Sequence, residues 1–356
     1  MKKIIFLILL LVPFNVYALN DTAKSSIVMD IDSGRILYQN NSNEKMLIAS
    51  TTKIMTFLTT IVYAYDKLES SVIVSDEILK MYGTNMYLNL NEKLTIKDLL
   101  YGLMLRSGND ASVVLATNVA GSIDEFVNLM NLKAKELGMN NTIFKNPHGL
   151  DDEVKNYSTA YDLAILTRYL YLNYPLYKQI AGEKYYDFAS NFKSYSLVNR
   201  CKILFTYDKI TTAKNGYTPA SGKSLVTTAS NNNLNLLIVT LNDDDIYQNH
   251  QRLYEYYFNK YNNYLILDKD NFLIPSLTNQ KYYLKNNFYY PLTKLEKDSI
   301  EMKVILHDNN QKTFGKINIF LKNKLIHEEM IYKIKTSVKR KNIILKIRDF
   351  FRNLFQ

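Results

Sequence analysis

Strand-like runs stand at both ends of the first 260 residues, and helical runs fill the space between them. Residues 24–40 form two short alternating runs around the turn Asp-Ser-Gly, which predicts a hairpin. Residues 95–180 are largely helical in pattern, and strand-like runs return over 200–242 as KILFTY, GKSLVTTAS and LNLLIVTLN. A closing helix is predicted at 250–259. This order predicts an α+β fold in which both ends of the chain close an antiparallel sheet that carries a helical subdomain.

Further along the chain, the pattern changes to short alternating runs such as SIEMKVILHD and FGKINIFLKN, which predict a small all-β domain. The prediction therefore has four parts: a signal peptide at 1–18, a main domain at 19–260, a small β-rich domain at 261–336 and an amphipathic helix at 337–356.

The first eighteen residues have the pattern of a secretory signal peptide. MKK supplies the positive charge, IIFLILLLV is a short apolar run, and VYA offers small residues for cleavage. The alternative is an uncleaved anchor, for which the apolar run is short.

The net charge of +10 is compatible with binding to nucleic acid, to an anionic membrane or to an anionic wall polymer, and export argues against nucleic acid. Cys201 is the single cysteine, so no intrachain disulfide can form, and we interpret it as a small buried residue.

The C-terminal segment 337–356 has an apolar face and a strongly basic face when drawn as a helix. The apolar positions are Ile343, Ile344, Ile347, Phe350, Phe351, Leu354 and Phe355. The basic positions are Lys339, Arg340, Lys341, Lys346, Arg348 and Arg352. Such a helix is typical of an anionic membrane surface. The alternative is a helix that packs on the protein's own core.

Ser50 and Lys53 stand three residues apart in a run with apolar residues at helical spacing. Helical spacing places both on one face, so the lysine could remove the serine proton if burial or a second cation kept it neutral. The free N–H groups of a helix N-terminus would suit an oxyanion. A second Ser-x-x-Lys at Ser190 and Lys193 lies in a polar stretch, and we interpret it as coincidental.

Two further short sequences accompany the first pair. Ser107-Gly108-Asn109 gives Ser-x-Asn, and Lys214-Asn215-Gly216 gives Lys-x-Gly before a strand-like run. Their order matches that of the penicillin-recognising serine acyl-enzymes. The blocks LLYGLMLRSGNDAS, MNNTIFKNPHGLDD and AKNGYTPASGKSLV extend the match. The chain resembles the low-molecular-mass penicillin-binding proteins that act as D-alanyl-D-alanine carboxypeptidases, which implies a fold like that of β-lactamases and transpeptidases.

The resemblance implies a role for each of these positions. Ser50 would be the acylated nucleophile and Lys53 its general base. Ser107 would help to protonate the leaving D-alanine, and Asn109 would hold the backbone of the substrate. Lys214 would bind the terminal carboxylate and help to keep Lys53 neutral.

The resemblance also assigns the strand that follows Lys214. The backbone N–H groups of Ser50 and Tyr217 would form the oxyanion hole, while Asn215, Gly216, Tyr217 and Thr218 would bind substrate. Asn215 stands where the family has a threonine that helps to bind the carboxylate, so activity or penicillin affinity is expected to be reduced.

The implied substrates are peptidoglycan stem peptides, with β-lactams as covalent inhibitors, at the outer face of the bacterial cytoplasmic membrane. No cofactor or metal is expected, because no His, Asp and Glu cluster has zinc-ligand spacing, and His148 is interpreted as a structural hydrogen-bonding residue at a turn. The alternatives are a D,D-endopeptidase that cleaves cross-links and a non-catalytic wall-binding or regulatory protein. A β-lactamase is less favoured, because no obvious glutamate block could activate a deacylating water.

Overall fold

A computed structural model describes residues 20–274, 282–306 and 313–333 of the chain. The predicted signal peptide at 1–18 and the predicted amphipathic helix at 337–356 lie outside these ranges. Contacts divide the chain into two units, with the boundary between Asn262 and Asn263. Within the described ranges, no helix has both the length and the apolar character needed to cross a membrane.

The first unit contains eleven strands and eight α-helices among its described residues. The strands are β1 (Ala23–Asp30), β2 (Ile36–Asn40), β3 (Met46–Leu47), β4 (Ser71–Ile73), β5 (Lys93–Thr95), β6 (Tyr157–Ser158), β7 (Tyr185–Ala189), β8 (Ser194–Val198), β9 (Ile210–Thr218), β10 (Gly222–Asn231) and β11 (Leu234–Asp243). The helices are α1 (Lys53–Ala64), α2 (Ile96–Tyr101), α3 (Asn109–Ala120), α4 (Ile123–Glu136), α5 (Ala160–Asn173), α6 (Pro175–Gly182), α7 (Ile203–Thr206) and α8 (Ile246–Lys260). Short 3-10 helices occupy Ala49–Thr52, Tyr65–Lys67 and Asp76–Lys80, and a π-helical turn occupies Gly102–Arg106.

Five strands of this unit form one antiparallel sheet in the order β2-β1-β11-β10-β9. The first strand pairs with the last, from Ala23 opposite Asp243 to Asp30 opposite Leu236. The β1–β2 turn is stabilised by Asp30, whose carboxylate accepts a hydrogen bond of 2.8 Å from the Ser33 N–H. Both ends of this part of the chain therefore close the sheet, as the sequence predicted, and β9 is left at an edge.

Helix α1 lies in the middle of the helical subdomain. Its apolar residues Ile54, Phe57, Leu58 and Ile61 are fully buried in the main core, at the spacing that predicted the helix. The polar positions between them are buried as well, and Thr56 Oγ1 donates a hydrogen bond of 2.6 Å to the Pro147 carbonyl. Because every residue of α1 from Lys53 to Ile61 is buried, a charged residue in this part of the helix lies in a region of low polarity.

One strand prediction in this unit is wrong. The run KILFTY contains helix α7, in which Ile203 and Leu204 are buried in a second apolar cluster beneath the sheet. The Tyr207 N–H closes the helical turn on the Ile203 carbonyl at 3.0 Å. A short apolar run cannot distinguish a strand from one buried helical turn, because both fill the core equally well.

The second unit is mainly antiparallel sheet, in agreement with the predicted small all-β region. Its elements are β12 (Asn262–Leu267), β13 (Tyr282–Tyr283), β14 (Phe288–Leu292), α9 (Lys294–Lys297), β15 (Ile300–Leu306), β16 (Thr313–Leu321) and β17 (Lys324–Lys333). Four strands pair in the order β13-β17-β16-β15, and β12 pairs with β14. Ile317, Ile319 and Ile331 are fully buried at the centre of its core.

His250 lies on α8, and its buried ring contacts two strands of the sheet. Its Nδ1 lies 2.8 Å from Thr227 Oγ1 and its Nε2 lies 2.9 Å from Thr240 Oγ1, on neighbouring strands. Burial lowers the pKa of His250 from 6.5 to about 3, so the folded protein holds the ring neutral. The unfolded chain binds a proton near pH 6.5, and the folded chain does so only near pH 3. This contribution to stability is therefore complete above pH 6.5 and is lost as the pH falls towards 3.

We expect the free energy of unfolding to fall as the pH is lowered from about 7.5 to about 4.5. In a His250→Gln variant, the slope of this free energy against pH should be smaller by the equivalent of about one proton. Urea titrations of the natural chain and of the variant at both pH values measure the two slopes. Identical slopes in the two proteins would show that His250 titrates normally in the folded state.

Candidate active site

Ser50 lies in the 3-10 helix Ala49–Thr52, directly before α1 begins at Lys53. The sequence predicted that Ser50 and Lys53 share one face of a helix, and the tighter 3-10 turn also brings the two side chains together. Lys53 Nζ lies 3.0 Å from Ser50 Oγ, and Ser50 is half-buried whereas Lys53 is fully buried.

The backbone at Ser50 is held by close contacts from two glycines. Ala49 adopts a left-handed conformation with φ of +44°, which is unfavourable for a residue with a side chain. A Cβ at Gly149 would lie 2.0 Å from the Ala49 carbonyl oxygen, and a Cβ at Gly216 would lie 2.9 Å from the Ser50 nitrogen. The edge strand β9 therefore packs directly on the backbone of Ser50, which only glycine permits at position 216.

Lys53 has three oxygen neighbours, two of which come from distant parts of the chain. Besides Ser50 Oγ, its Nζ lies 2.7 Å from Asn109 Oδ1 and 2.6 Å from the His148 carbonyl oxygen. The Asn109 amide is fixed in this orientation, because its Nδ2 donates a hydrogen bond of 2.7 Å to the Tyr82 carbonyl.

Burial and a second cation both favour the neutral form of Lys53. Burial, followed by the positive charge of Lys214, holds the pKa of Lys53 well below its usual value, and the carboxylate of Asp110 opposes the shift. A neutral amine has two N–H donors and one lone pair. The carbonyl oxygens of Asn109 and His148 can only accept, so they take both N–H groups, and the lone pair is left for the Ser50 hydroxyl. The arrangement therefore leaves a neutral Lys53 able to accept the hydroxyl proton of Ser50.

Ser107 lies between α2 and α3, and Asn109 is the first residue of α3. The π-helical turn Gly102–Arg106 ends at Ser107, which adopts a left-handed conformation with φ of +60°. The Asn109 N–H donates a hydrogen bond of 2.8 Å to the Thr84 carbonyl. Left-handed residues with side chains are uncommon and concentrate at functional sites, because the surrounding structure must enforce them.

Lys214 is fully buried on the edge strand β9 and contacts Ser107. Its Nζ donates to Ser107 Oγ at 3.0 Å and to the Asn215 carbonyl at 2.7 Å. Burial lowers the pKa of Lys214 to about 8, and the positive charge of Arg200 adds to this shift. Lys214 is therefore a cation at neutral pH that both supports Ser107 and lowers the pKa of Lys53.

The remaining predicted residues follow Lys214 along β9. Tyr217 is 63% exposed. Thr218 is buried, and its hydroxyl lies 2.6 Å from the Asp151 carboxylate. The Asn215 amide is half-buried and lies between the Cys201 thiol and the Tyr247 hydroxyl.

Sequence reasoning missed groups that act through the backbone. The carbonyls of His148 and Tyr82 orient Lys53 and Asn109, and a main-chain carbonyl carries no signal in residue type. Asp110 was also missed, although its carboxylate accepts hydrogen bonds from the Met86 and Leu88 N–H groups and opposes the shift at Lys53. Asp110 follows Asn109 directly, so its place next to the Ser-x-Asn sequence was the signal that the sequence offered.

The second Ser-x-x-Lys pair lies elsewhere, at the turn between β7 and β8. Ser190 Oγ donates to Glu92 at 2.6 Å, and Lys193 Nζ donates to the Tyr87 carbonyl at 2.5 Å. The two side chains thus bond to different partners, and Lys193 is exposed to solvent.

Residues 14–245 match the family model described as D-alanyl-D-alanine carboxypeptidase. The chain belongs to the D-alanyl-D-alanine carboxypeptidase family. This confirms the resemblance inferred from the sequence. All the residues of the candidate site described above, from Ser50 to Thr218, lie within the matched region of the family.

Individual members of the family are clearly similar to this chain. D-alanyl-D-alanine carboxypeptidase DacF of Bacillus subtilis is 40% identical over 223 residues, which cover 61% of this chain and 56% of that protein. DacC of Escherichia coli is 34% identical over 62% of this chain and 56% of its own length. The chain thus spans little more than half the length of these curated relatives.

A solved structure extends the similarity beyond the first unit. Penicillin-binding protein 5 of Haemophilus influenzae superposes with a TM-score of 0.74 at 26% identity, covering 88% of this chain and 96% of that chain. The fold class predicted from the sequence, a sheet with a helical subdomain followed by a small all-β region, is therefore confirmed.

Proposed function

We propose that this protein is a serine D,D-carboxypeptidase that removes the terminal D-alanine from peptidoglycan stem peptides. The observation that carries the proposal is the fully buried Lys53, with Nζ 3.0 Å from Ser50 Oγ and its two N–H groups held by carbonyl oxygens. Family membership supplies the substrate class.

In the proposed acylation step, neutral Lys53 takes the hydroxyl proton of Ser50. The Ser50 oxygen then attacks the carbonyl carbon of the penultimate D-alanine. The developing oxyanion is bound by the N–H groups of Ser50 and Tyr217, and the close packing of Gly216 on Ser50 supports this placement.

Breakdown of the tetrahedral intermediate requires a proton on the leaving amine. Lys214 donates its hydrogen bond to Ser107 Oγ, so the Ser107 hydroxyl hydrogen is free to be passed to the leaving nitrogen. The proton that Lys53 took from Ser50 passes to Ser107, so that Ser107 is again a hydroxyl and Lys53 is again neutral. The C–N bond breaks, D-alanine leaves, and Ser50 is esterified. Water, deprotonated by the same Lys53 amine, then hydrolyses the ester and restores Ser50.

The test is D-alanine release from a peptide that ends in Lys-D-Ala-D-Ala, with and without prior treatment by penicillin. We expect release that penicillin blocks, together with a mass increase of one penicilloyl group per chain. A cross-linked peptide dimer assayed in parallel separates the endopeptidase from the carboxypeptidase. Binding of wall fragments by folded protein with no release would instead favour the non-catalytic alternative.

The charge of Lys214 predicts the alkaline limit of activity. Below a pKa of about 8, Lys214 is cationic and can bind a terminal carboxylate; above it, the charge and the attraction are lost. We therefore expect kcat/KM, which reports the free enzyme, to fall as the pH rises through about 8. A Lys214→Arg variant keeps its charge, so its decline should begin at higher pH. A decline at the same pH in both proteins would assign it to another group.

For location, we infer that the protein is exported and is held at the outer face of the cytoplasmic membrane. The basic amphipathic pattern at 337–356 and the leader pattern at 1–18 support this. We expect the full chain, but not a chain truncated after residue 336, to sediment with vesicles rich in anionic lipid. Equal sedimentation of the two would refute the anchor.

A further inference from the structure

The Asn215 side chain contacts two protein groups that the proposed mechanism does not use. Cys201 Sγ lies 3.3 Å from Asn215 Oδ1, and Asn215 Nδ2 lies 3.5 Å from the Tyr247 hydroxyl oxygen. An amide oxygen can only accept, so the thiol is the donor. The Nδ2 group carries two hydrogens, and the Tyr247 oxygen takes one of them.

Cys201 is held in place for this contact. Its N–H donates to Asn199 Oδ1 at 3.0 Å, and its carbonyl accepts from the Leu204 N–H at 3.1 Å. The side chain is 1% exposed, and burial raises the pKa of the thiol, so it keeps the hydrogen that it donates. The thiol is thus a fixed donor directed at one end of the Asn215 amide.

The orientation of the Asn215 amide decides whether its N–H group or its oxygen faces a bound anion. Asn215 is half-buried and directly follows Lys214, which is the cation proposed for the terminal carboxylate. With Oδ1 bound to the thiol, the amide offers its second Nδ2 hydrogen to a further acceptor. If the amide rotated by half a turn, its oxygen would take that place and would repel a carboxylate.

We propose that Cys201 is a positioning residue for carboxylate recognition, because its thiol holds the Asn215 amide with an N–H donor available to the substrate. The inference rests on the proposed function, since it concerns binding of the same terminal carboxylate. It also explains how an asparagine can occupy a position that the family gives to threonine: the amide acts as a donor once its oxygen is bound elsewhere.

The experiment compares Cys201→Ala and Cys201→Ser, each in the natural chain and in an Asn215→Thr background. KM and kcat for D-alanine release are measured together with the second-order rate of acylation by penicillin, which also carries a carboxylate. We expect Cys201→Ala to raise KM and lower the acylation rate by about fivefold, as for one lost hydrogen bond, with kcat changed by less than about twofold. Cys201→Ser keeps a hydroxyl donor and should restore both values.

The Asn215→Thr background separates positioning from packing. With no amide to orient, Cys201→Ala should leave KM and the acylation rate unchanged there. Equal effects in both backgrounds, or a fall in Tm with unchanged KM, would overturn the proposal and assign Cys201 a packing role.

Failure of the proposed function gives a different pattern. If the natural chain releases no D-alanine but is acylated by penicillin, the carboxypeptidase activity is refuted, and the acylation rates of the four variants still decide the role of Cys201. If the natural chain undergoes neither reaction, both proposals are overturned.

Discussion

Replacing Ser50 with alanine is expected to reduce D-alanine release by a factor of about 10⁴ or more, because loss of the nucleophile removes the covalent route. The substitution deletes only the oxygen that lies 3.0 Å from Lys53 Nζ, and it leaves the bonds of Lys53 to Asn109 and His148 in place. Steady-state kinetics measure the loss, and mass spectrometry should show no penicilloyl adduct. Labelling of Ser50→Ala at the natural rate would place the nucleophile elsewhere.

The chain provides a matched control in its second Ser-x-x-Lys pair. Ser190→Ala removes the same oxygen from the same short pattern, but at the β7–β8 turn, where it bonds to Glu92. We expect kcat/KM to change by less than about twofold, because the half-buried Ser190 hydroxyl bonds to Glu92 and not to a residue of the candidate site. A large loss in Ser190→Ala would show that the assay reports on stability and not on the nucleophile.

Replacing Lys53 with methionine should lower kcat/KM by about 10³ or more, since a general base contributes factors of this size. Methionine keeps most of the apolar stem and removes the amine whose pKa is lowered by burial and Lys214. Lys193→Met is the control, because the Lys193 side chain is exposed and its Nζ donates to the Tyr87 carbonyl and lies over the Tyr195 ring. Retention of more than about a tenth of the activity in Lys53→Met would be incompatible with its role as the base.

The assignment of Lys53 as the base also predicts how acylation of the unmodified protein depends on acid pH. Lys53 acts only when neutral, so acylation by penicillin should slow as the pH falls through its lowered pKa and the amine becomes protonated. Rates of acylation measured from acid to neutral pH test this. A rate that stays constant over the whole range would contradict it.

The order of strands and helices could be predicted from the apolar pattern. Strand β11 is a nearly continuous apolar run that is buried on both faces, whereas helices such as α4 and α8 have one buried face. Helix α7 could not be predicted in this way, since one buried helical turn leaves the same short apolar run as a strand. At the candidate site, Ser50 and Lys53 were predicted from their spacing, and the resemblance to the family added Ser107, Asn109 and Lys214. The carbonyls of His148 and Tyr82 were not predicted, since any residue type supplies them.

The contacts of Cys201 also lay beyond sequence reasoning. The interpretation as a small buried residue agrees with its burial, but its hydrogen bond to Asn215 depends on how α7 packs beside β9. Pairings of this kind between distant segments follow from tertiary packing and not from local pattern.

The three neighbours of Lys53 also bear on how the protein matures. Asn109 is 56 residues and His148 is 95 residues away along the chain, so the amine is fully coordinated only after these segments have come together. Contacts of such long sequence separation form late, because the loop entropy must be overcome first. If Ser50 is the proposed nucleophile, we expect it to be unreactive in a partly folded chain, so that the labelling of newly made protein by penicillin follows the completion of folding.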